Sequence, residues 1–181
     1  MKSLFTALSL CSLLSCSSES PLSSLPPSPP PGVFPAVAGD DLTGVPRQFP
    51  AAFTAPKTLV IVAFLHRQQA DVDAWFRALE IEIRKGGVEY FELPTLPPMG
   101  SLREWLLYKG MQSGIPDPWM RQRVVTLHLD KSAFKQALGI SCEDHVSVFV
   151  VGPGGRLAGS VQGALDETRL SQVKAWLQGS L

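Results

Sequence analysis

The sequence has no excess of charge of either sign and no long apolar run beyond its N-terminus. Its 16 lysines and arginines balance 16 aspartates and glutamates. No overall field draws such a chain to nucleic acid or to an anionic membrane, so we expect no nucleic-acid partner. No later apolar run reaches the roughly 20 residues that a membrane-spanning helix needs. Hydrophobic residues make up 45% and charged residues 18% of the 181 residues, which is typical of one globular domain.

Cysteine is also scarce, and only Cys11, Cys16 and Cys142 occur in the chain. The first two lie in a short N-terminal segment of distinctive composition. Cys142 is therefore the one cysteine of the remaining chain, which cannot form an internal disulfide bond.

The N-terminal segment has the pattern of an export signal. Lys2 is its only charge before Glu19, and Leu4–Leu14 is a short apolar stretch that ends in small residues. The letters "LLSC" that close it resemble a bacterial lipobox. That resemblance implies a lipoprotein signal peptide over residues 1–15, cleavage before Cys16, and attachment of acyl chains such as palmitate to Cys16. Ser17 is not the acidic residue that retains such lipoproteins at the inner membrane. We therefore expect a periplasm-facing, lipid-anchored protein of the cell envelope, with the outer membrane favoured over the inner one where the organism has both.

Residues 16–32 consist of the predicted lipidated cysteine and the Ser/Pro-rich run "SSESPLSSLPPSPPPG". Such a run cannot bury a core, and its prolines favour an extended polyproline conformation. At roughly 3.1 Å per residue it could hold a domain up to about 50 Å from the membrane. We expect the folded domain to occupy residues 33–181.

Strands and helices alternate through this predicted domain. The run "TLVIVAFL" is typical of a central strand covered on both faces, and the stripe from Val72 to Ile83 has helical spacing. The order after a lead-in that suggests a short hairpin is strand-helix-strand-helix-strand-helix-strand-strand-helix. It predicts an α/β fold, a three-layer α/β/α sandwich with a mixed central sheet. The predicted strands are 58–65, 88–93, 124–129, 146–151 and 156–161, and the predicted N-caps of the four helices are Asp71, Ser101, Asp130 and Asp166.

The domain resembles known families at two levels. The element order, with "VVTLHLDKSAFKQALGI" followed by "VSVFVVGPGGRLAGSVQG", is similar to the thioredoxin-like superfamily in its peroxiredoxin-like form. More narrowly, "GMQSGIPDPWMRQR" and the segments after it resemble the mitochondrial assembly-factor family for the Fo sector of ATP synthase, and its bacterial relatives. The narrower resemblance implies a non-catalytic, thioredoxin-like domain that assists assembly of a membrane complex.

The residues needed for disulfide exchange are missing from the loop where this superfamily carries them. That chemistry requires an activated thiolate and a second thiol, but the loop from His66 to Ala70 has no cysteine. The position of the superfamily's cis-proline corresponds to Val146, for which we expect a trans peptide bond. We therefore expect no enzymatic activity and no cofactor.

Two alternative hypotheses involve Cys142. The loops containing His66 and Cys142–His145 should be neighbours in this fold, so His66, Cys142 and His145 could bind copper or zinc in a metal carrier. Cys142 could otherwise serve a single-cysteine thiol enzyme, although Glu143 and Asp144 follow it and acidic neighbours disfavour the thiolate.

A protein-binding surface is better supported by the loop "GIPDPWMRQR". It places Trp119, Met120, Arg121 and Arg123 together, and tryptophan and arginine are the residues that dominate interface hot spots. The alternative is that Trp119 and Met120 close the core beneath the loop and that the arginines are solvated. We predict a membrane-anchored, catalytically silent lipoprotein that binds a protein partner through this loop.

Overall fold

The computed structural model describes residues 32–85, 87–98 and 100–179. The predicted signal peptide, the predicted lipidation site Cys16 and almost all of the tether lie outside the described residues. No helix in the described part of the chain is both long enough and apolar enough to cross a membrane.

Within the described residues, seven strands form one mixed sheet in the order β2-β1-β5-β4-β3-β6-β7. β3, β4 and β5 are parallel neighbours, whereas β1, β2, β6 and β7 join by antiparallel pairing. The predicted lead-in hairpin and the predicted terminal hairpin are both confirmed. The strands are β1 (Val37–Asp41), β2 (Pro46–Phe49), β3 (Thr58–Ala63), β4 (Glu89–Leu96), β5 (Val125–His128), β6 (Ser147–Val151) and β7 (Leu157–Gln162).

Helices cover both faces of the sheet, which confirms the predicted α/β sandwich. One buried cluster includes Phe34, Phe91 and Phe134 and lies on the α5 side. The other, which we call the α1-side core, includes Trp75 and Val173 from α1 and α6. The helices are α1 (Gln69–Ala78), α2 (Glu80–Lys85), α3 (Ser101–Gly114), α4 (Pro118–Arg121), α5 (Lys131–Leu138) and α6 (Glu167–Gln178), with 3-10 turns at His66–Gln68 and Pro153–Gly155.

Two of the four predicted N-caps are confirmed. Asp130 accepts a hydrogen bond from the Ser132 backbone N–H at 2.8 Å, and Asp166 accepts one from the Arg169 backbone N–H at 2.7 Å. Such bonds satisfy backbone donors that the first turn of a helix leaves free.

The predicted caps Asp71 and Ser101 are wrong. The 3-10 turn begins five residues before Asp71, so Asp71 lies inside the first turn of α1. Gln68 occupies the N-cap position of α1 instead. α3 begins at Ser101 itself, with Gly100 in the cap position.

Two further boundaries differ from the prediction. The helix predicted to run through Ile83 is broken at Leu79, whose φ of −117° and ψ of 11° are not helical. Leu79 and Ile83 are both buried in the α1-side core, so the apolar stripe continues across the break. β4 also continues beyond its predicted end at Leu93, because Thr95 and Leu96 pair with β5.

Candidate functional site

The turn after β3 is built around Gln68. This side chain is only 1% exposed. Its Oε1 accepts hydrogen bonds from the backbone N–H groups of Phe64 and Leu65, at 2.8 and 3.0 Å. The amide thus satisfies two backbone donors at the point where β3 ends. Buried backbone N–H groups require such partners.

The same amide joins this turn to the loop that precedes β6. Gln68 Nε2 donates to the Glu143 carbonyl oxygen at 2.8 Å, and the exposed Arg67 Nη2 lies 2.7 Å from Asp144 Oδ1. The prediction that these two loops are neighbours is therefore confirmed. We call residues 66–68 together with Glu143 and Asp144 the Gln68 corner.

The Gln68 corner is braced from α5 by two lysines. Lys131 and Lys135 both contact the Glu143 carboxylate, Lys135 at 2.9 Å. Hydrogen bonds from these lysines hold the pKa of Glu143 below its ordinary value, against a smaller opposing effect of burial.

The candidate metal ligands do not form a site in the described residues. His66 and His145 are exposed and Cys142 is half-buried. No group of three or more histidine, cysteine, aspartate or glutamate side chains in the described part of the chain is arranged to hold a metal ion, and His66, Cys142 and His145 are not such a group. The peptide bond before Val146 is trans.

The predicted partner-binding loop contains the short helix α4. Asp117 is its N-cap and accepts a hydrogen bond from the Trp119 backbone N–H at 2.9 Å, and Pro118 occupies the first helical position, where a missing N–H costs nothing. Trp119 and Met120 are half-buried and pack against the α1-side core. The suggestion that they close the core is thus correct in part, but neither side chain is fully covered.

The Trp119 ring is surrounded by an aromatic ring and two guanidinium groups. Its centroid lies 6.3 Å from that of Phe76 on α1. The Cζ atoms of Arg123 and Arg84 lie 3.9 and 4.7 Å from the ring centroid, within the range of favourable cation–π contact. We call Phe76, Arg84, Trp119 and Arg123 the Trp119 surface.

The arginines of this region are held in place rather than freely solvated. Arg123 donates to the Trp119 carbonyl oxygen at 3.0 Å, and burial lowers its pKa while the charge of Glu89 raises it. Arg84 Nε lies 2.7 Å from Glu80 Oε1, within α2. Arg121 Nε donates to the Ile115 carbonyl oxygen at 2.6 Å and so stabilises the loop itself.

Sequence reasoning missed two members of the Trp119 surface. Phe76 belonged to a predicted core stripe and Arg84 had no assigned role. No spacing in the sequence pairs either residue with Trp119, which follows more than 30 positions later. Only the packing of α1 and α2 against α4 brings them together.

A buried acid, Glu92, was also missed. It lies in the middle of β4 and is 3% exposed. Burial, followed by the charge of Asp73, raises its pKa to about 7, although the polar side chains of Gln69 and Tyr90 act in the opposite direction. The one signal in the sequence is that this glutamate stands between apolar residues of a strand. A glutamate is rarely fully buried without a partner.

Comparison with solved structures identifies the fold. The chain aligns with the thioredoxin domain of a thiol-disulfide oxidoreductase from Bacteroides vulgatus at a TM-score of 0.54 and 15% identity, over 81% of this chain and 96% of that one. A thiol:disulfide interchange protein from Bacteroides sp. aligns at 0.52 and 16% identity, over 81% and 89%. A member of the Sco family of cytochrome c oxidase assembly proteins aligns at 0.52 and 13% identity, over 80% and 93%.

The chain has a thioredoxin-like fold. No protein-family model matches the sequence, and no curated protein matches it, so the likeness extends to the fold alone. The thioredoxin-like superfamily that the sequence resembles carries reactive cysteines in the loop that corresponds to the turn after β3. In this thioredoxin-like chain the same turn is built on a buried glutamine.

Proposed function

We propose that this chain is a partner-binding thioredoxin-like domain that does not exchange disulfides. It acts while acylated Cys16 holds it at an envelope membrane, and it assists the assembly of a membrane complex. The observation that carries the proposal is the Gln68 corner, where a hydrogen-bonded amide occupies the turn in which this fold performs thiol chemistry.

Gln68 can neither attack a disulfide nor leave room for one at this turn. An amide cannot act as a nucleophile toward a disulfide, which requires a thiolate. Its hydrogen bonds from the backbone N–H groups of Phe64 and Leu65 hold the turn after β3, and its bond to the Glu143 carbonyl joins this turn to the loop before β6. The remaining cysteine of residues 33–181 is Cys142, which offers no second thiol for exchange.

The Trp119 surface supplies the binding function. Half-buried tryptophan with adjacent arginine is the combination that most often contributes binding energy at protein interfaces. Arg84 and Arg123 are already oriented by contacts with Trp119, Glu80 and the loop backbone, so little side-chain entropy is lost when a partner binds.

The assembly role is supported by two likenesses. The segment around Trp119 resembles the Fo assembly-factor family, and a neighbour in fold belongs to a family of cytochrome c oxidase assembly proteins. Both concern proteins that act on membrane complexes, which suits a domain tethered to a membrane. The partner we propose is a subunit of such a complex, with the membrane ATP synthase as the first candidate.

Cross-linking in intact cells tests this proposal. The full-length protein, a Trp119→Ala variant and a Leu106→Ala variant would be cross-linked, captured and analysed by mass spectrometry. Leu106 is a matched control because it is 55% exposed on α3 and outside the Trp119 surface. We expect subunits of one membrane complex to be captured with the wild type and with Leu106→Ala, and to be lost with Trp119→Ala.

Two results would contradict the proposal. One is unchanged capture by a folded Trp119→Ala variant. The other is repeated turnover of a disulfide substrate by the purified protein, since that requires the redox chemistry that the Gln68 corner replaces.

A further inference from the structure

The buried acid Glu92 lies directly behind the Trp119 surface. Its backbone N–H donates to the Arg123 carbonyl oxygen at 2.9 Å, and Arg123 is the residue whose guanidinium lies against the Trp119 ring. The strand position of Glu92 is therefore tied to the loop that carries the surface.

A second connection runs through aromatic rings. Tyr90 lies two residues before Glu92 on β4, so the two side chains lie on the same face of the strand, toward α1. The Tyr90 ring packs against Phe76, with centroids 5.2 Å apart, and Phe76 in turn packs against Trp119. Any movement of α1 away from β4 near Glu92 would thus displace a member of the Trp119 surface.

Burial and the charge of Asp73 favour the protonated form of Glu92, and the side chains of Gln69 and Tyr90 oppose them less strongly. α1 contributes Gln69 and the acidic Asp73, and β4 contributes Tyr90. β3 places the apolar Ile61 opposite Glu92, and the segment before β5 reaches it through the Arg123 carbonyl. No salt bridge joins Glu92 to a lysine, arginine or histidine in the described part of the chain.

Ionisation of Glu92 would therefore place an uncompensated charge in the interior next to a second carboxylate. Such a charge is relieved by admitting water or by separating the elements that bury it. α1 is the helix that faces this acid, since it carries Gln69 and Asp73, and it ends after ten residues at the break at Leu79.

We propose that the protonation state of Glu92 regulates partner binding at the Trp119 surface. With Glu92 protonated, α1 packs against β4 and presents Phe76 beside Trp119. Loss of the proton loosens this packing and weakens the partner complex. This inference rests on the proposed function, because it takes the Trp119 surface to be the binding site.

The direction of the effect follows from linkage. The pKa of Glu92 rises from an ordinary value of 4.5 to about 7 in the folded protein. The packed state is therefore favoured at low pH and loses stability as pH rises from 4.5 toward 7. The opening equilibrium of α1 should increase about tenfold per pH unit over this window and level off above about pH 7.

Hydrogen exchange on the full-length protein measures that opening. Protection factors of α1 amides, corrected for intrinsic exchange, would be followed from pH 5 to 8.5 in the wild type, Glu92→Gln, Asp73→Asn and the control Glu167→Gln. Glu167 is exposed in the first turn of α6, so its substitution should leave the wild-type profile unchanged.

We expect α1 protection to fall about tenfold per pH unit in the wild type and then level off near neutrality. Glu92→Gln should remove this dependence, since an amide of the same shape cannot ionise. Asp73→Asn removes a repelling charge, which lowers the pKa of Glu92 and moves the levelling point to lower pH. Identical profiles for the wild type and Glu92→Gln would overturn the proposal.

Partner capture at pH 6 and pH 8 completes the test. We expect less capture by the wild type at pH 8, and equal capture at both values by Glu92→Gln. Exchange that depends on Glu92 together with pH-independent capture would overturn the regulatory proposal and leave the Trp119 surface as the binding site. Capture unaffected by Trp119→Ala at either pH would overturn the proposed function instead.

Discussion

Gln68 shows how one side chain can hold a turn that the backbone alone does not satisfy. Its amide accepts from two N–H groups at the end of β3 and donates to the carbonyl of Glu143, 75 positions later. Because the Gln68 side chain and the Phe64 N–H are buried and the other two partners are partly buried, removing the amide leaves these partners with few alternatives.

Gln68→Ala should therefore destabilise the protein strongly. The buried N–H of Phe64 would lose its partner, at about 1–3 kcal/mol for a buried unsatisfied group. The N–H of Leu65 and the carbonyl of Glu143 would lose theirs at a lower cost, because both are only partly buried. We expect a loss of about 2–4 kcal/mol in the free energy of unfolding, measured by urea denaturation. Gln136→Ala on the exposed face of α5 is the control and should change stability by less than about 0.5 kcal/mol. Equal effects of the two substitutions would show that the hydrogen bonds of Gln68 are not important.

Glu92 should make the overall stability of the protein depend on pH, in addition to the local packing of α1. Because its pKa is raised to about 7 in the fold, the folded state binds a proton more tightly than the unfolded state. The contribution of Glu92 to the free energy of unfolding is fully present below pH 4.5 and is lost as pH rises through 7. The loss is about 1.4 kcal/mol per pH unit and about 3 kcal/mol in total. Urea denaturation between pH 5 and 8 should show this slope in the wild type, and Glu92→Gln should flatten it. A slope that survives the substitution would assign the dependence to other groups.

At the scale of elements, the β1–β2 hairpin is organised by one buried carboxylate. Asp41 Oδ1 accepts from the backbone N–H groups of Thr43 and Val45, at 2.8 and 3.1 Å, and Oδ2 accepts from Arg47 Nη2 at 2.9 Å. Burial raises the pKa of Asp41, but these hydrogen bonds outweigh burial, so the pKa lies below the ordinary 3.8.

Asp41→Asn should accordingly weaken the hairpin. The amide keeps one acceptor but loses the charge that Arg47 contacts, and we expect a loss of about 2 kcal/mol at pH 7 in thermal or urea unfolding. Since a depressed carboxylate pKa contributes stability that disappears as pH falls through it, the difference between wild type and variant should shrink below about pH 4. Asp40→Asn, on the neighbouring exposed residue, is the control and should have little effect at any pH.

The contact between α6 and β7 depends on the absence of a side chain at Gly159. A Cβ there would lie 2.3 Å from the Trp176 ring atoms Cδ2 and Cε2. Gly159→Ala should push α6 off the sheet and cost about 1–3 kcal/mol of stability, the usual penalty of overpacking. Gly110→Ala is the matched control, because the exposed α3 position has open space around it and alanine favours a helix by up to about 1 kcal/mol. Equal, small effects would show that α6 adjusts without strain.

Element boundaries were predictable where their causes are local. Asp130 and Asp166 cap helices through bonds to residues two and three positions on, so the sequence around them suffices. Asp71 was wrongly predicted because the start of α1 is set by Gln68 and its bond to Glu143, a contact between distant parts of the chain. The break at Leu79 left no signal, because the apolar spacing continues through it.

For the whole molecule, the fold was predictable and the candidate site was predictable only in part. Alternating strands and helices with a terminal hairpin restrict the topology to few arrangements, and the mixed sheet is one of them. Trp119 and Arg123 stand out in the sequence by type and proximity. Phe76, Arg84 and Glu92 join them only through packing across α1, α2 and β4, which no single segment encodes.

The role of Cys142 in the whole molecule is tested by replacing it with serine. Residues 33–181 contain only Cys142, and a catalytic cycle of disulfide exchange needs two thiols that face each other. We expect Cys142→Ser to leave the unfolding free energy within about 1 kcal/mol, because serine is close to cysteine in size and the site is half-buried. The variant should capture the same partner as the wild type in cross-linked cells, whereas Trp119→Ala should lose it. If Cys142→Ser abolished capture or released bound copper or zinc from the purified protein, the thiol would be the functional group and the Trp119 surface would be secondary.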